Sequence, residues 1–529
     1  MKNRFFSFCL LVCLLLGLCG CAETPAPTTD TAGVIEQPRY DLHKAAQIRD
    51  DRYVYLTVWS WQIPDKAAAE AMAQAAKDAG FTAVDLGVLW ARFEPERGAF
   101  DWSWLDETAE TFRAAGFPLS IQPLLWTKGL TWEDQLVLQA LPDGSVSRTE
   151  ERGATVSLAD AGNREVLRNT LTAFFDHVSR TYGEFLTRWG VRLSAFGEFD
   201  YSIGEPVDCS APARAGFFDA LEKQYETYDA LSAAAGETVE DRKALETLDF
   251  SHLTQIFSGV WRRCRQDALT SFAALCGEVM RTVDHSVPAV LSPGTFGNGI
   301  NAAYSGWIDF RRAVEQVDCD IIGVAFCDGT DDAFLLSLAA GLGKEISVEV
   351  DGAWALEEGR DVAAQVELCG RFGTFSLSTA NFTLAQLKEH KETLSRYREL
   401  FFTDGTMGDP EPSMGILLVT DALISEDGDA YAAWIGDAYA ALSANGEKRV
   451  NLFTDGQIAA KGAACLGAVK TLDLGRQDGN LLPSAVAEIL READVSLIYT
   501  GAPDPVVPGT DTERPAVPSD ETADPSSDN

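Results

Sequence analysis

The sequence predicts an α/β fold: a (β/α)8 TIM barrel with a long insertion after its fourth strand, followed by a small α/β domain. From about residue 50, short runs of β-branched, apolar or aromatic residues alternate with Ala-rich amphipathic stretches. This alternation is typical of parallel βαβ units. The alternation continues to about residue 400, which is enough chain for a complete barrel, and the 529-residue length leaves room for a second unit.

The N-terminus predicts export and a lipid anchor. Lys2 and Arg4 precede an apolar run over residues 5–18, which is too short to span a bilayer and suits a signal peptide. The run ends in Leu-Cys-Gly-Cys at residues 18–21, which resembles a bacterial lipoprotein signal with lipidation at Cys21. We predict a signal peptide over residues 1–20 and a flexible Pro/Thr-rich linker over 21–45. An ordinary secretory signal is the alternative.

The barrel is predicted over residues 46–405. Its strands are predicted at residues 53–59, 82–88, 119–124, 193–198, 289–292, 321–326, 345–350 and 374–377. Amphipathic helices are predicted between or after them, among others at residues 66–79, 106–115, 164–181, 266–283 and 384–401. The insertion, about residues 199–287, falls between strands 4 and 5.

Carboxylates and tryptophans follow the predicted strands. Active sites of such barrels lie at the C-terminal strand ends, and residues there include Trp59, Trp61, Trp90, Arg92, Trp126, Glu198, Tyr201, Glu349 and Asp351. Carboxylates can act as acid, base or nucleophile, and tryptophan faces stack on the C–H faces of sugars. Because glycoside hydrolysis generally needs two carboxylates flanking the bond, the rim indicates a glycoside hydrolase that acts on an oligo- or polysaccharide.

The segment after strand 2 carries a family resemblance. Residues 89–116, LWARFEPERGAFDWSWLDETAETFRAAG, resemble the second βα unit of glycoside hydrolase clan A, and especially family 42, the β-galactosidase family. The pattern positions are filled by Trp90, Glu94, Pro95, Gly98, Phe100, Asp101, Trp102, Trp104, Leu105 and Asp106. Residues 217–234 resemble a second segment of that family, and the resemblance covers about residues 50–400.

The resemblance implies two catalytic residues. In clan A an acid/base Glu ends strand 4 and a nucleophile Glu ends strand 7, and Glu198 and Glu349 match those places. This implies a retaining mechanism with the carboxyl groups about 5–5.5 Å apart. From their places at the strand ends, and not from the resemblance, substrate binding is predicted for Trp59, Trp61, Trp90, Arg92, Trp126, Tyr201 and Asp351.

One position departs from the clan. Gly197 precedes Glu198 where the clan usually has Asn, which contacts the sugar 2-hydroxyl. The Gly-Glu pair resembles the β-amylase family, family 14, whose members invert with carboxyls about 6.5–9.5 Å apart. Two alternatives therefore stay open: an inverting, β-amylase-like hydrolase, and a surface lipoprotein that binds glycans without catalysis.

Residues 413–501 predict a small α/β domain. Short apolar runs at 415–419, 449–453, 467–472 and 495–499 alternate with helical stretches at 429–444 and 483–493. The region resembles the flavodoxin-like trimerisation domain that follows the barrel in family 42, which implies assembly into a homo-oligomer. Residues 502–529 are rich in Pro, Asp, Ser and Thr, and predict a disordered acidic tail.

The amino-acid composition limits the classes of partner and cofactor that we expect. Asp and Glu total 80 against 43 Lys and Arg, for a net charge of -37, which disfavours nucleic acid because its phosphates bind through cationic side chains. No cysteine pair after the leader has CxxC spacing, and the five histidines are far apart. We therefore expect no metal and no cofactor. The predicted location is extracytoplasmic, on a bacterial membrane through the anchor at Cys21.

Overall fold

The chain folds around a closed barrel of eight parallel strands. The computed structural model describes residues 52–193, 199, 207–292, 319–326, 336, 344–357, 365–366, 369, 374, 376–403, 414–419, 422, 438, 450–474 and 482–498. Each barrel strand pairs with its chain neighbours, and the last closes on the first. The strands are β1 (Val54–Trp59), β2 (Ala83–Leu89), β3 (Leu119–Leu124), β4 (Leu186–Arg192), β5 (Ala289–Ser292), β6 (Ile321–Phe326), β7 (Glu345–Asp351) and β8 (Ser376–Ala380). The predicted barrel is confirmed.

The strands are buried on both faces. In β1, Val54, Leu56 and Val58 belong to the apolar core outside the barrel wall. The alternate residues point the other way, and Tyr55 and Thr57 bond to side chains from other strands across the barrel interior. This period of two is the geometry of a strand. The helices cover the outer face of the barrel, and side chains from the other strands fill the inner face.

Strand β4 lies elsewhere than predicted. The prediction placed it at residues 193–198, whereas the structure places it at Leu186–Arg192, where every residue is buried. Its alternate residues Arg188, Gly190 and Arg192 line the barrel interior. Barrel interiors usually hold bulky branched residues, so two arginines and a glycine made this segment look unlike a strand. The prediction was wrong because the interior of this barrel is polar.

Helices pack around the barrel and over the β4–β5 connection. They are α1 (Lys66–Asp78), α2 (Trp90–Phe93), α3 (Ser103–Ala114), α4 (Ala161–Tyr182), α5 (Ala211–Tyr225), α6 (Tyr228–Ala235), α7 (Arg242–Thr247), α8 (Phe250–Ile256), α9 (Ser258–Val283), α10 (Gly352–Glu357), α11 (Leu384–Glu389) and α12 (Lys391–Thr403). Asp65 and Asp160 cap α1 and α4 by accepting the backbone N–H groups of Ala68 and Asn163. The single helix predicted over 384–401 is two, because α11 ends at Glu389.

The connection from β4 to β5 carries helices α5 to α8 and the start of α9. These helices share a core of their own, in which Phe217, Phe250 and Trp261 meet edge to face with ring centroids 5.4–5.6 Å apart. The rest of α9 packs back on the barrel through residues such as Leu269 and Phe272. The connection is therefore folded around apolar residues of its own.

A second parallel sheet follows the barrel. Its strands are β9 (Met414–Leu418), β10 (Asn451–Thr454), β11 (Thr471–Asp473) and β12 (Ser496–Ile498), in the spatial order β10-β9-β11-β12. Two further helices are α13 (Asp455–Lys461) and α14 (Ser484–Glu492). Ile416 and Leu418 join the apolar core of the barrel, whereas Leu417 packs with residues of α13 and α14.

The sheet was predicted as a small α/β unit. Its four strands overlap the predicted runs, and α14 overlaps the predicted helix at 483–493. The predicted helix at 429–444 lies outside the described residues except for residue 438. The flavodoxin-like comparison and the domain boundaries stay predictions.

The predicted leader, linker and tail lie outside the described residues, as does Cys21. Among the residues that the structure does describe, no helix combines the length and the apolar character needed to cross a membrane.

Candidate active site

Glu349 lies near the C-terminal end of β7, on the inner side of the barrel. Arg192, at the end of β4, donates from both terminal nitrogens to its carboxylate: Nη1 to Oε2 at 3.0 Å, and Nη2 to Oε1. Thr57 Oγ1 in β1 donates to Oε2 at 3.2 Å. Arg192 and Glu349 keep 3% and 11% of their side-chain surface exposed. Both carboxylate oxygens of Glu349 therefore have donors from other strands of the barrel, β4 and β1.

The same arginine contacts Trp59, whose indole is fixed by the ends of two other strands. The guanidinium of Arg192 lies over the Trp59 ring, 4.9 Å from its centroid. Trp59 Nε1 donates to Asn381 Oδ1 at 2.7 Å, and Asn381 Nδ2 donates to Asp351 Oδ2 at 2.7 Å. We call Glu349, Arg192, Trp59, Asn381 and Asp351 the strand-end network, because β1, β4 and β7 and the residue after β8 supply its members.

Two backbone features let the strand-end network form. Asn381 has φ of 69°, the left-handed region that Asn tolerates better than most residues. The Trp59 ring lies against Gly87 of β2, where an added Cβ would stand 2.2 Å from its Cε3. A side chain at that position would occupy the space of the indole.

We expect Gly87→Ala to displace Trp59 and to lower both stability and activity. Overpacking of this kind costs about 1–3 kcal/mol, and the moved indole would release Asn381 and Arg192. The free energy of unfolding and the intrinsic tryptophan fluorescence check the expectation. Gly216→Ala in α5 is the control, because no atom lies within 4 Å of its added Cβ. Equal effects of the two substitutions would contradict the assigned contact.

Three tryptophans stack in a row at the edge of the strand-end network. The Trp59 and Trp61 centroids are 5.4 Å apart, those of Trp61 and Trp126 are 5.5 Å apart, and both ring pairs lie within 16° of parallel. Trp61 is 48% exposed, whereas Trp59 is 3% exposed. Arg152 lies 6.0 Å from the Trp126 ring. Of the three, Trp61 presents the largest fraction of its surface to solvent.

Trp90 and Arg92 do not join this site. Trp90 is 0% exposed, and its Nε1 donates to Glu94 Oε2 at 2.7 Å. The exposed Arg92 lies over the Trp104 ring at 5.8 Å. Because Trp90 has no surface to offer a sugar, it is a packing residue, and the prediction that it binds substrate was wrong. Arg92 was predicted as a substrate contact, yet it lies against α3, where no described contact links it to Glu349.

Glu94, part of the family-like pattern, fixes the loop after α2. It is buried, and its Oε1 accepts the Gly98 backbone N–H at 2.8 Å. Its Oε2 accepts from Thr170 Oγ1 at 2.7 Å, and its backbone carbonyl accepts from Trp132 Nε1 at 3.1 Å. This carboxylate is therefore structural.

Below Glu349 the barrel interior holds a second arginine. Arg188 Nη1 donates to Ser347 and Ser376, and Nη2 donates to Ser378 at 2.9 Å. Nη2 also lies 3.5 Å from Asp85 Oδ2. Burial raises the pKa of Asp85, and the charge of Arg188 opposes that shift. The interior is thus a layer of charges and hydroxyls beneath the strand-end network.

A polar cavity of about 30 Å³ lies between these two layers. Asp85, Arg188, Arg192, Ser292 and Glu349 are among its lining residues. Such a volume has room for about two water molecules. Glu349 therefore has polar surroundings on its inner side as well as at the barrel mouth.

Two predicted site residues, Glu198 and Tyr201, lie outside the described residues, as does Gly197. Across the described parts of the chain, no group of three or more His, Cys, Asp or Glu side chains is arranged to hold a metal ion.

Two residues of the site, Arg192 and Thr57, were not predicted. The available signal was the alternation Arg-x-Gly-x-Arg over residues 188–192, which places two arginines and a glycine on one face of a strand.

Known proteins share parts of this sequence and this fold. Residues 60–239 match the sequence model of glycoside hydrolase family 42, described as β-galactosidase. A β-galactosidase of Bifidobacterium bifidum is 29% identical over 175 residues, which are 30% of this chain and 22% of that protein. The chain therefore spans about a fifth of the length of this relative.

Solved structures share the fold. The β-galactosidase of the psychrophile Marinomonas ef1 superposes with a TM-score of 0.63 at 16% identity, covering 84% of this chain and 75% of that one. The catalytic domain of a β-amylase from Paenibacillus polymyxa gives 0.53 at 13% identity, covering 67% of this chain and 99% of that one. Residues 60–239 are therefore similar in sequence to glycoside hydrolase family 42, and the chain shares its fold with solved β-galactosidases.

Proposed function

We propose that this protein is a β-galactosidase-like glycoside hydrolase. The observation that carries the proposal is Glu349, a carboxylate at the C-terminal end of a barrel strand that is oriented by Arg192 and Thr57. Active sites of TIM barrels lie at this end of the strands. The family 42 match over residues 60–239 supports the same reaction class.

In the proposed mechanism Glu349 attacks the anomeric carbon. Glu198 protonates the glycosidic oxygen as the bond to the leaving group breaks, which gives a glycosyl-enzyme ester on Glu349. Glu198 then takes a proton from water, and the water oxygen displaces Glu349 with net retention. Because Arg192 and Thr57 preset the orientation of the carboxylate, little of its motion has to be frozen in the transition state.

The substrate is proposed to be a neutral β-galactoside. Trp61 has an exposed indole next to the strand-end network, and an aromatic ring of this kind packs against the apolar face of a sugar. Trp126 extends the stack. The net charge of -37 disfavours acidic glycans by repulsion. Tyr201 remains a proposed hydrogen-bond donor to the sugar.

An inverting reaction is the second candidate. The shared fold with a β-amylase domain and the Gly197-Glu198 pair favour it. In that mechanism Glu349 would be the general base that activates water, and the carboxyl groups would be about 6.5–9.5 Å apart. The alternative of a glycan-binding protein without catalysis predicts binding and no turnover.

Hydrolysis assays distinguish the three. The purified chain is incubated with p-nitrophenyl glycosides and with β-linked galacto-oligosaccharides, and proton NMR identifies the anomer that forms first. Release of β-galactose supports retention, and release of α-galactose establishes inversion. If no glycoside is hydrolysed while calorimetry detects oligosaccharide binding, the glycan-binding role replaces the enzyme.

We further propose that the protein is anchored at the outer surface of a bacterial membrane through a lipid on Cys21. Cys21→Ala is expected to move the protein from the membrane fraction to the soluble fraction, because the lipidated residue is lost. Cys19→Ala, two positions away in the leader, is the control and should leave the anchor in place. Fractionation of expressing cells checks this, and a Cys21→Ala protein that still sediments with membranes would overturn the anchor.

A further inference from the structure

We propose that Arg192 is the positioning residue of Glu349: it holds the carboxylate in its reactive orientation without itself touching the bond that breaks. This rests on the proposed function, since it assigns a role within the same reaction. The sequence pattern by which the chain resembles family 42 covers the segment after strand 2, so it assigns no role to Arg192 at the end of β4. The inference comes from the contacts of the strand-end network alone.

Arg192 and Glu349 form a two-point contact. Both terminal nitrogens of Arg192 donate to the two oxygens of Glu349. A two-point contact fixes the position of a carboxylate and also the rotation of its plane, because the guanidinium is flat and its donors form a rigid fork. Thr57 adds a third donor to Oε2. A lysine could supply the charge but only one point of contact.

Arg192 is itself held in place. Its backbone lies in the sheet opposite Ser292 of β5. Its guanidinium lies over Trp59, and that indole is fixed by Asn381 and by its contact with Gly87. A cation above an indole face is attracted by the ring. The guanidinium of Arg192 is therefore held by the carboxylate of Glu349 and by the indole of Trp59.

The arginine below has a different set of partners. Arg188 donates to four serine hydroxyls and lies near Asp85, so its partners tie the strands together within the barrel interior. Arg192 is on the same face of β4, four residues nearer the barrel mouth, and its side chain contacts Glu349 and Trp59. Arg188 therefore holds the barrel strands together, whereas Arg192 orients the candidate nucleophile, Glu349.

The experiment compares wild type with Arg192→Met and Arg192→Lys on 2,4-dinitrophenyl β-galactoside, whose leaving group needs no acid. A misplacement of about 1 Å can cost about 100-fold in rate, so we expect Arg192→Met to lower kcat about 100-fold while KM changes less than about threefold. Arg192→Lys should recover less than about a tenth of the lost rate, because one of the two donors is missing.

Rescue by free guanidinium is the readout that a merely structural role would not move. Guanidinium chloride at about 20 mM, far below the molar concentrations that unfold proteins, should raise the rate of Arg192→Met several-fold and leave wild type unchanged. The matched control is Arg168→Met, which removes a bidentate arginine–glutamate pair with Glu278 on the protein surface. It should behave as wild type in every assay.

The outcomes separate the two proposals. Wild type that hydrolyses no glycoside overturns the proposed function. Active wild type with an Arg192→Met variant that keeps kcat within about threefold overturns the positioning role only, against the 100-fold expectation. If circular dichroism shows that Arg192→Met does not fold, Arg192→Lys carries the test, and a kcat equal to wild type in that variant overturns the role.

Discussion

Glu349→Gln is expected to abolish hydrolysis while leaving the barrel folded. The amide can still accept from Arg192 through its carbonyl oxygen, but it has no negative charge with which to attack the anomeric carbon. We expect kcat to fall by at least about 10⁴-fold, the scale of loss when a catalytic nucleophile is removed. Steady-state rates on an aryl β-galactoside measure the loss, and circular dichroism reports on the fold.

Glu357→Gln is the matched control for this substitution. Glu357 ends α10, which directly follows β7, and its exposed carboxylate accepts a hydrogen bond from Gln386 Nε2 at 3.2 Å. It lies on the same connection as Glu349, and no described contact links it to the strand-end network. We expect wild-type rates. A Glu349→Gln variant within about tenfold of wild type, three orders short of the expected loss, would remove Glu349 from the chemistry.

The barrel could be predicted because its signal is local. The predicted bounds of β3, β5 and β6 coincide with the observed ones at Leu119–Leu124, Ala289–Ser292 and Ile321–Phe326. Each is a short run rich in apolar residues, and a strand buried on both faces needs little more. Hydrophobic periodicity reports this kind of pattern directly.

The prediction failed at β4, where the wall is polar on the inside. Arg188 and Arg192 are fully inside the barrel. The free-energy cost of burying their charges is offset by partners on β1, β2, β7 and β8. Those partners are far away in sequence, so no window along the chain shows that an arginine there is paired. Because this pairing leaves no local sequence signal, Arg192 was not included in the predicted site. Glu349 was predicted from its place at the end of strand 7.

Trp90 shows the opposite failure. Its position after strand 2 suggested a sugar platform, yet Glu94, one helical turn on, accepts its indole N–H within the core. Trp61 follows strand 1 in a similar way and is half exposed. The sequence pattern places both tryptophans at the barrel rim. Only the burial of each side chain in the structure shows which one packs in the core and which one is accessible to a sugar.

Arg188→Met should cause a larger loss of stability than Gly87→Ala. It leaves Asp85 buried without the cation beside it and removes the donor to four serine hydroxyls. Removing one partner of a buried ion pair typically costs about 3–5 kcal/mol. Urea denaturation measures the free energy of unfolding, and Arg168→Met is the control, since a surface pair contributes about 0–1 kcal/mol.

The loss of stability in Arg188→Met should become smaller as the pH falls. Burial already raises the pKa of Asp85, and Arg188 opposes that rise, so the variant raises it further. A carboxyl whose folded pKa exceeds its unfolded value destabilises the fold above the folded pKa, and this penalty disappears as protons bind on lowering the pH. Arg188→Met should therefore cost less at pH 5 than at pH 8. A cost that grows on acidification would contradict the assigned pair.

The double variant Asp85→Asn, Arg188→Met separates the charge of Asp85 from the serine contacts. The amide carries no charge, so the penalty for leaving a buried carboxylate unpaired is gone, and replacing both members of a buried pair is often close to neutral. We expect the double variant to be more stable than Arg188→Met alone at pH 8, and its stability to vary less between pH 5 and pH 8. If the double variant is as unstable as the single one, the serine contacts rather than Asp85 explain why an arginine is buried beneath Glu349.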